Sequence, residues 1–89
     1  MICDCCGKKK SFFESFAAIK MENCQINLCV ECNDMAYKVR DDVNEQNEDA
    51  YRLHLEQWNK RTKKQSKNFV EWQKKFLISL EQKLNLNNK

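Results

Sequence analysis

Hydrophobic and polar positions change their period along this chain, and the changes mark its elements. Cys24, Ile26 and Leu28 alternate with Gln25 and Asn27, the period of a half-buried strand. Upstream, the stretch from Ser11 to Met21 is rich in Phe, Ala and Ile, and Glu22-Asn23 supplies a turn, so residues 13–28 read as a β-hairpin. From Cys29 the period becomes helical. Ala36, Val39, Val43, Ala50, His54 and Trp58 share one face, flanked by Tyr51 and Leu55. Asn44 to Asp49 is polar on every face and weakens the stripe, yet no proline or glycine ends it. The pattern therefore predicts a helix of about 30 residues, about 45 Å long, whose far half must pack on something else.

Lys60 to Lys67 is polar and basic, and Asn68-Phe69-Val70-Glu71 then fits a capping box with Asn68 as N-cap. A second helix follows to about Leu84, with Phe69, Trp72, Phe76, Leu77, Leu80 and Leu84 on one face. Asn85 to Lys89 is expected to fray. A single helix over residues 30–84 stays open as an alternative, since nothing in residues 59–68 forbids it.

Composition sharpens this picture. The chain has 89 residues, one glycine and no proline, which argues against a loop-rich or all-β fold. All six cysteines fall within residues 1–32, while residues 33–89 hold both tryptophans and the single histidine. The fold class expected is small α+β: a cysteine module over residues 1–40, then a long helical arm over residues 41–89. Whether the arm forms a helical hairpin or a coiled coil is left open. Opening Met1-Ile2-Cys3, the chain leaves no room for a signal peptide, and no apolar run is long enough to span a membrane. A cytoplasmic setting is expected, where clustered cysteines bind metal rather than pair as disulfides. Thirteen lysines against three arginines, with ten asparagines, point to an AT-rich genome, bacterial or phage.

Two Cys-x-x-Cys pairs, Cys3/Cys6 and Cys29/Cys32, stand 22 residues apart. Each pair lets one turn present two sulfurs, and two pairs close a tetrahedral zinc site. Gly7 follows the second ligand, where a knuckle turns sharply and a positive φ suits only glycine. The second pair opens a helix, whose N–H groups and dipole favour thiolates. Lys8, Lys9 and Lys10 either offset the site's charge or form a solvated turn. Cys5 and Cys24 are left over and read as small buried hydrophobes, with a second metal or a Cys5–Cys24 redox pair as alternatives. His54 lies in an apolar stripe and reads as a packed residue, not a ligand.

A CxxCG knuckle, a hairpin and a CxxC in the first turn of a helix form the treble-clef zinc arrangement. Cys3-x-x-Cys6-Gly7-Lys8 and Leu28-Cys29-Val30-Glu31-Cys32 resemble the N-terminal zinc-binding domain of the ClpX unfoldase, and equally the zinc module of the McsA adaptor. The resemblance spans roughly residues 1–40. It implies the four ligand positions, the fold and a docking or dimerising role.

Three function classes can be weighed. A site closed by four cysteines lacks the open position of catalytic zinc, and no nucleophile–base pair or Gly-rich phosphate loop accompanies it, so no enzyme is expected. Lys60, Arg61, Lys63, Lys64 and Lys67 could meet phosphates, which makes a nucleic-acid-binding regulator the second reading. The net charge of +3 is too small for a general nucleic-acid binder. The preferred reading is an adaptor or regulator acting by protein docking, through Tyr51, Leu55, Trp58, Phe69, Trp72, Phe76 and Leu80. These faces exceed what a small zinc module can cover, so they must bury against each other, a second copy or a partner, and a homodimer or another protein partner is expected. Residues 41–49 carry five acids and no base, residues 60–67 five bases and no acid, and antiparallel packing would join the two blocks.

Overall fold

The computed structural model describes residues 1–87, with side-chain surroundings through Leu84. In chain order it has a knuckle at the N-terminus, β1 (Ala17–Lys20), β2 (Gln25–Leu28), α1 (Val30–Asn44), α2 (Glu48–Arg61) and α3 (Lys67–Asn87). The strands pair antiparallel, Ala17 opposite Leu28 and Ile19 opposite Ile26. The turn closes when Met21 N donates to Cys24 O at 2.7 Å. The expected hairpin is present but shorter, because Phe12 and Phe13 lie in the preceding loop, 90% and 94% exposed. Ile26 and Leu28 are buried, as the alternation requires.

The expected long helix is broken. After Asn44 the chain turns at Gln46, whose φ is 59°, and Asn47 Oδ1 accepts from Ala50 N at 3.1 Å to cap α2. Asn47 N donates back to Asp42 O at 2.8 Å, which closes the turn. The physical reason is visible in the polar run: residues 44–49 offer no apolar side chain to hold a continuing helix against the core, while an asparagine side chain caps a new one readily. Near the turn Asp42 meets His54, and at the far end Glu31 meets Arg61. α1 and α2 therefore run antiparallel, as a helical hairpin, and α2 packs back along α1 instead of extending away. The alternative of one helix over residues 30–84 fails at the same turn.

α3 begins two residues earlier than expected and is capped by a different side chain. Ser66 Oγ, not Asn68, accepts from the backbone, taking Phe69 N at 3.1 Å. Serine is at least as good an N-cap as asparagine, and this choice leaves Phe69 at N3, free to turn inward. The helix continues to Asn87, through part of the segment expected to fray; residues 88 and 89 lie outside the described residues.

One core joins all of this. Ile26 and Leu28 from β2, Met35, Ala36, Val39 and Val43 from α1, Tyr51 and Trp58 from α2, and Phe69, Leu80 and Leu84 from α3 form a single buried cluster that also holds Cys3, Cys5, Cys29 and Cys32. Trp58 is fully buried at its centre, with the rings of Phe69, Trp72 and Phe76 each 6.0 Å away in edge-on contact. Edge-on aromatic pairs at this spacing add to the stabilisation from burial alone. The boundary expected at residue 40 falls inside α1, and the cluster draws on residues from both sides of it.

Candidate metal centre

The four cysteines of the two CxxC pairs converge. The Sγ atoms of Cys3, Cys6, Cys29 and Cys32 all lie within 4.8 Å of one another. Cys6 Sγ and Cys29 Sγ are 3.8 Å apart. A tetrahedron with metal–sulfur bonds of about 2.3 Å has an edge of about 3.8 Å. None of the cysteines is in a disulfide. The donor set and its spacing fit a tetrahedral, thiophilic metal ion, of the kind zinc is.

Local backbone geometry explains the convergence. The knuckle closes when Gly7 N donates to Cys3 O at 3.0 Å and Cys3 N to Lys8 O at 2.8 Å. Gly7 sits at φ 80°, as its position after the second ligand suggested. Asp4 fixes the knuckle to the hairpin: its N donates to Asn27 O at 2.7 Å and its Oδ2 accepts from Asn27 N at 2.6 Å. Asp4 O also accepts from Ser66 N at 2.8 Å, which ties the loop before α3 to the same turn. Cys29 is the N-cap residue of α1, and Cys32 stands in its first turn.

Burial and mutual crowding set the electrostatics of the four thiols. Burial pushes the Cys6 thiol up to about 12, with Cys3 and Cys32 raising it further. Burial likewise raises Cys29, and the Cys5 thiol together with burial raises Cys32. Cys3 moves the other way. Burial opposes its ionisation, but the backbone N–H groups of Cys6, Cys29 and Cys5 donate to its sulfur and hold it below the ordinary value. Cys29 N lies 3.3 Å from Cys3 Sγ. Crowded thiols cannot all ionise without a counter-charge, and a bound dication supplies one. Binding must then release protons, so affinity rises with pH.

The basic run lies beside this centre. By doubling back on α1, α2 returns Arg61 to the cysteines. Its guanidinium lies beside Cys32 and donates to Glu31 Oε2 at 2.6 Å, and its Nε is buried with no hydrogen-bond partner among the described residues. Lys64 lays its stem over Gly7, so close that a Cβ there would meet Lys64 Cβ at 2.8 Å. Lys60, Arg61 and Lys63 line a cleft of about 260 Å³ beside Cys6. Lys60 also pairs with Glu56 at 3.5 Å, and Lys67 is exposed at the start of α3. Of these five, Arg61 pairs with Glu31 beside Cys32, and Lys64 packs on the knuckle. Lys8 bridges Glu14 at 2.8 Å and Glu31 at 3.9 Å, completing a charged rim.

Sequence reasoning missed Asp4 and the role of Arg61. Neither had a local signal, because both depend on chain segments meeting across 23 residues or more. Arg61→Ala should weaken zinc binding about 10-fold, the size of effect expected of a group hydrogen-bonded to a ligand. Competition with a colorimetric chelator measures it, and an unchanged affinity would remove Arg61 from the site.

The leftover cysteines separate. Cys5 is fully buried beside Cys32, whereas Cys24 is half-buried in the hairpin turn with Sγ 3.6 Å from Met21 Sδ. Cys24→Ala and Cys5→Ser should each keep one zinc per chain by elemental analysis, since neither belongs to the mutually close four. Loss of metal in either would mean that the ligand set differs.

The remaining expected site residues also have positions. Tyr51, Trp58, Phe69 and Leu80 are buried in the chain's own core, and Leu55, Trp72 and Phe76 are half-buried against it. Of the ways open to these faces, the structure shows burial against each other: the helical hairpin and α3 cover most of them. His54 Nδ1 lies 2.5 Å from Asp42 Oδ2 and takes no part in the metal centre. No helix among the described residues is long and apolar enough to cross a membrane. Comparison with protein-family models, curated proteins and solved structures finds no match.

Proposed function

We propose that this chain holds one zinc ion in a closed four-cysteine site of treble-clef type and works as a non-enzymatic docking module. The observation that carries the reading is the mutual approach of the Cys3, Cys6, Cys29 and Cys32 sulfurs. Four thiolates saturate zinc and leave no position for substrate or water, which suits a structural ion. A zinc so held fastens the knuckle to α1 and, through Arg61, to α2. The product is a rigid platform, and rigidity lowers the entropy cost of binding a partner. With Arg61 and Lys64 engaged at the metal centre, fewer cations stay free for phosphate, which favours a protein partner over nucleic acid.

The test uses the zinc-loaded full chain as bait in a nuclease-treated bacterial lysate at about 0.5 M salt, where the Debye length is only a few Å. The reading expects a protein retained at that salt and lost from the Cys6→Ser variant. In a parallel capture from an untreated lysate at low salt, retention of nucleic acid with no protein held at about 0.5 M salt would replace it with a nucleic-acid-binding regulator of cytoplasmic, bacterial or phage origin. Light scattering on the same sample shows whether a second copy is the partner.

A further inference from the structure

The hairpin has two outer edges, and the fold treats them differently. In the antiparallel register Met21 pairs with Cys24 through a backbone hydrogen bond, so every second pair inward, Ile19–Ile26 and Ala17–Leu28, is also a bonded pair. The intervening residues then point their N–H and C=O groups outward: Asn27 on β2, and Ala18 and Lys20 on β1. Asn27 is fully occupied, since Asp4 takes both its N–H and its C=O. For Ala18 and Lys20 no acceptor or donor is found among the described residues.

A groove runs along the open edge. It has a volume of about 220 Å³ and is lined by β1, by Ala36, Tyr37 and Arg40 of α1, and by Trp72 and Phe76 of α3. Ala18 lines it although its side chain faces away from those of Ala17 and Ile19, which places the backbone of β1 at the rim. The floor is hard and apolar, with the Trp72 and Phe76 rings stacked at 5.0 Å and 11°. Small-molecule sites are usually about 300 Å³ or more, so this hole suits one or two side chains better than a metabolite. Arg40 is the single charged side chain on the wall. It lies over the Tyr37 ring at 4.5 Å, and its carboxylate neighbour, Asp41, stands 3.6 Å away with both groups exposed. Such a pair is weak, and most of the guanidinium donors remain open.

From the unpaired edge of β1 and the groove beside it we infer that this face binds an extended acidic peptide of a partner protein as a third strand. Ala18 and Lys20 supply the backbone hydrogen bonds, the Trp72–Phe76 floor takes a large apolar side chain, and Arg40 takes a carboxylate. A second copy of this chain is a poorer occupant: its own β1 is Ala17-Ala18-Ile19-Lys20, which brings a cation and no carboxylate toward Arg40. The inference rests on the docking reading above and gives that reading a site and a ligand chemistry.

A phage-displayed library of random decapeptides, selected on the zinc-loaded full chain, tests it. Ala18→Pro deletes an outward N–H without touching the β1–β2 bonds, and an edge strand tolerates proline. Arg40→Glu reverses the charge on the wall. Both variants are first checked for one zinc per chain and for a dispersed amide spectrum. The expected result is enrichment of sequences combining a large apolar residue with Asp or Glu. Such a peptide should shift the Ala18 and Lys20 amides and the Trp72 indole, and bind both variants at least about 10-fold more weakly. Peptides that bind the variants equally well, or shift other amides, overturn this site while leaving the docking reading standing. An absence of enriched peptides overturns the inference too, and the lysate capture, which uses whole proteins, then decides the docking reading separately. A dimer of the full chain that Ala18→Pro dissociates would make the second copy the occupant and overturn the acidic peptide.

Discussion

Replacing Cys32 with serine should abolish stoichiometric zinc binding and unfold the chain at room temperature. Cys32 is fully buried, belongs to the four converging sulfurs and lies beside Arg61. Serine is a poor zinc ligand, and the three remaining sulfurs would be crowded together without a cation to balance their charge. Structural zinc in small domains contributes about 10 kcal/mol or more of apparent binding free energy, which for such a site is folding free energy. A domain of this size has only about 5–15 kcal/mol in total. The effect should reach the whole chain, because the cysteines sit in the same cluster as Trp58 and Phe69. Circular dichroism and amide spectra should both show it, and a chelator added to the native chain should reproduce it. A Cys32→Ser chain with native spectra would show that the fold does not depend on the metal.

Trp58→Ala carries the second largest effect. The indole is fully buried and touches three other aromatic rings of α3, so truncation leaves a cavity where two helices meet. Truncations of this kind cost about 3–5 kcal/mol. For a chain of this length that lowers the melting temperature by more than about 10 °C. The shared core adds a qualitative expectation: helix loss and zinc release should occur in one transition, at the same temperature. If the variant melts in two steps, with zinc retained through the first, residues 1–40 and the remainder are separate units after all.

Much of this was legible in the sequence where the signal was local. The spacing Cys3-x-x-Cys6 and Cys29-x-x-Cys32 named the four sulfurs that converge, and Gly7 marked the knuckle's positive φ. Alternation through Ile26 and Leu28 located β2, and the stripe Ala36–Val39–Val43 located the buried face of α1. Long-range features were hidden. Asn47 could have been read as a cap, but an uncapped polar face and a helix break look alike until tertiary contacts choose between them. Glu71 completed a box pattern that pointed to Asn68 as the cap; in the fold Ser66 caps the helix, and Phe69 packs inward. The block of bases at residues 60–67 looked like a surface feature. Its meaning changed once α2 was seen to double back, since the position of Arg61 depends on a turn 15 residues earlier. The complementary blocks at residues 41–49 and 60–67 do not meet as expected: antiparallel α1 and α2 put them at opposite ends, and Glu31 is the acid that Arg61 finds.

The central claim is a single zinc bound by four cysteine sulfurs, and X-ray absorption at the zinc edge reads it most directly. On the chain purified with one equivalent of zinc, the account predicts a first shell of four sulfurs at about 2.3 Å with no nitrogen or oxygen contribution. A first shell containing nitrogen or oxygen, or fewer than four sulfurs, would contradict it.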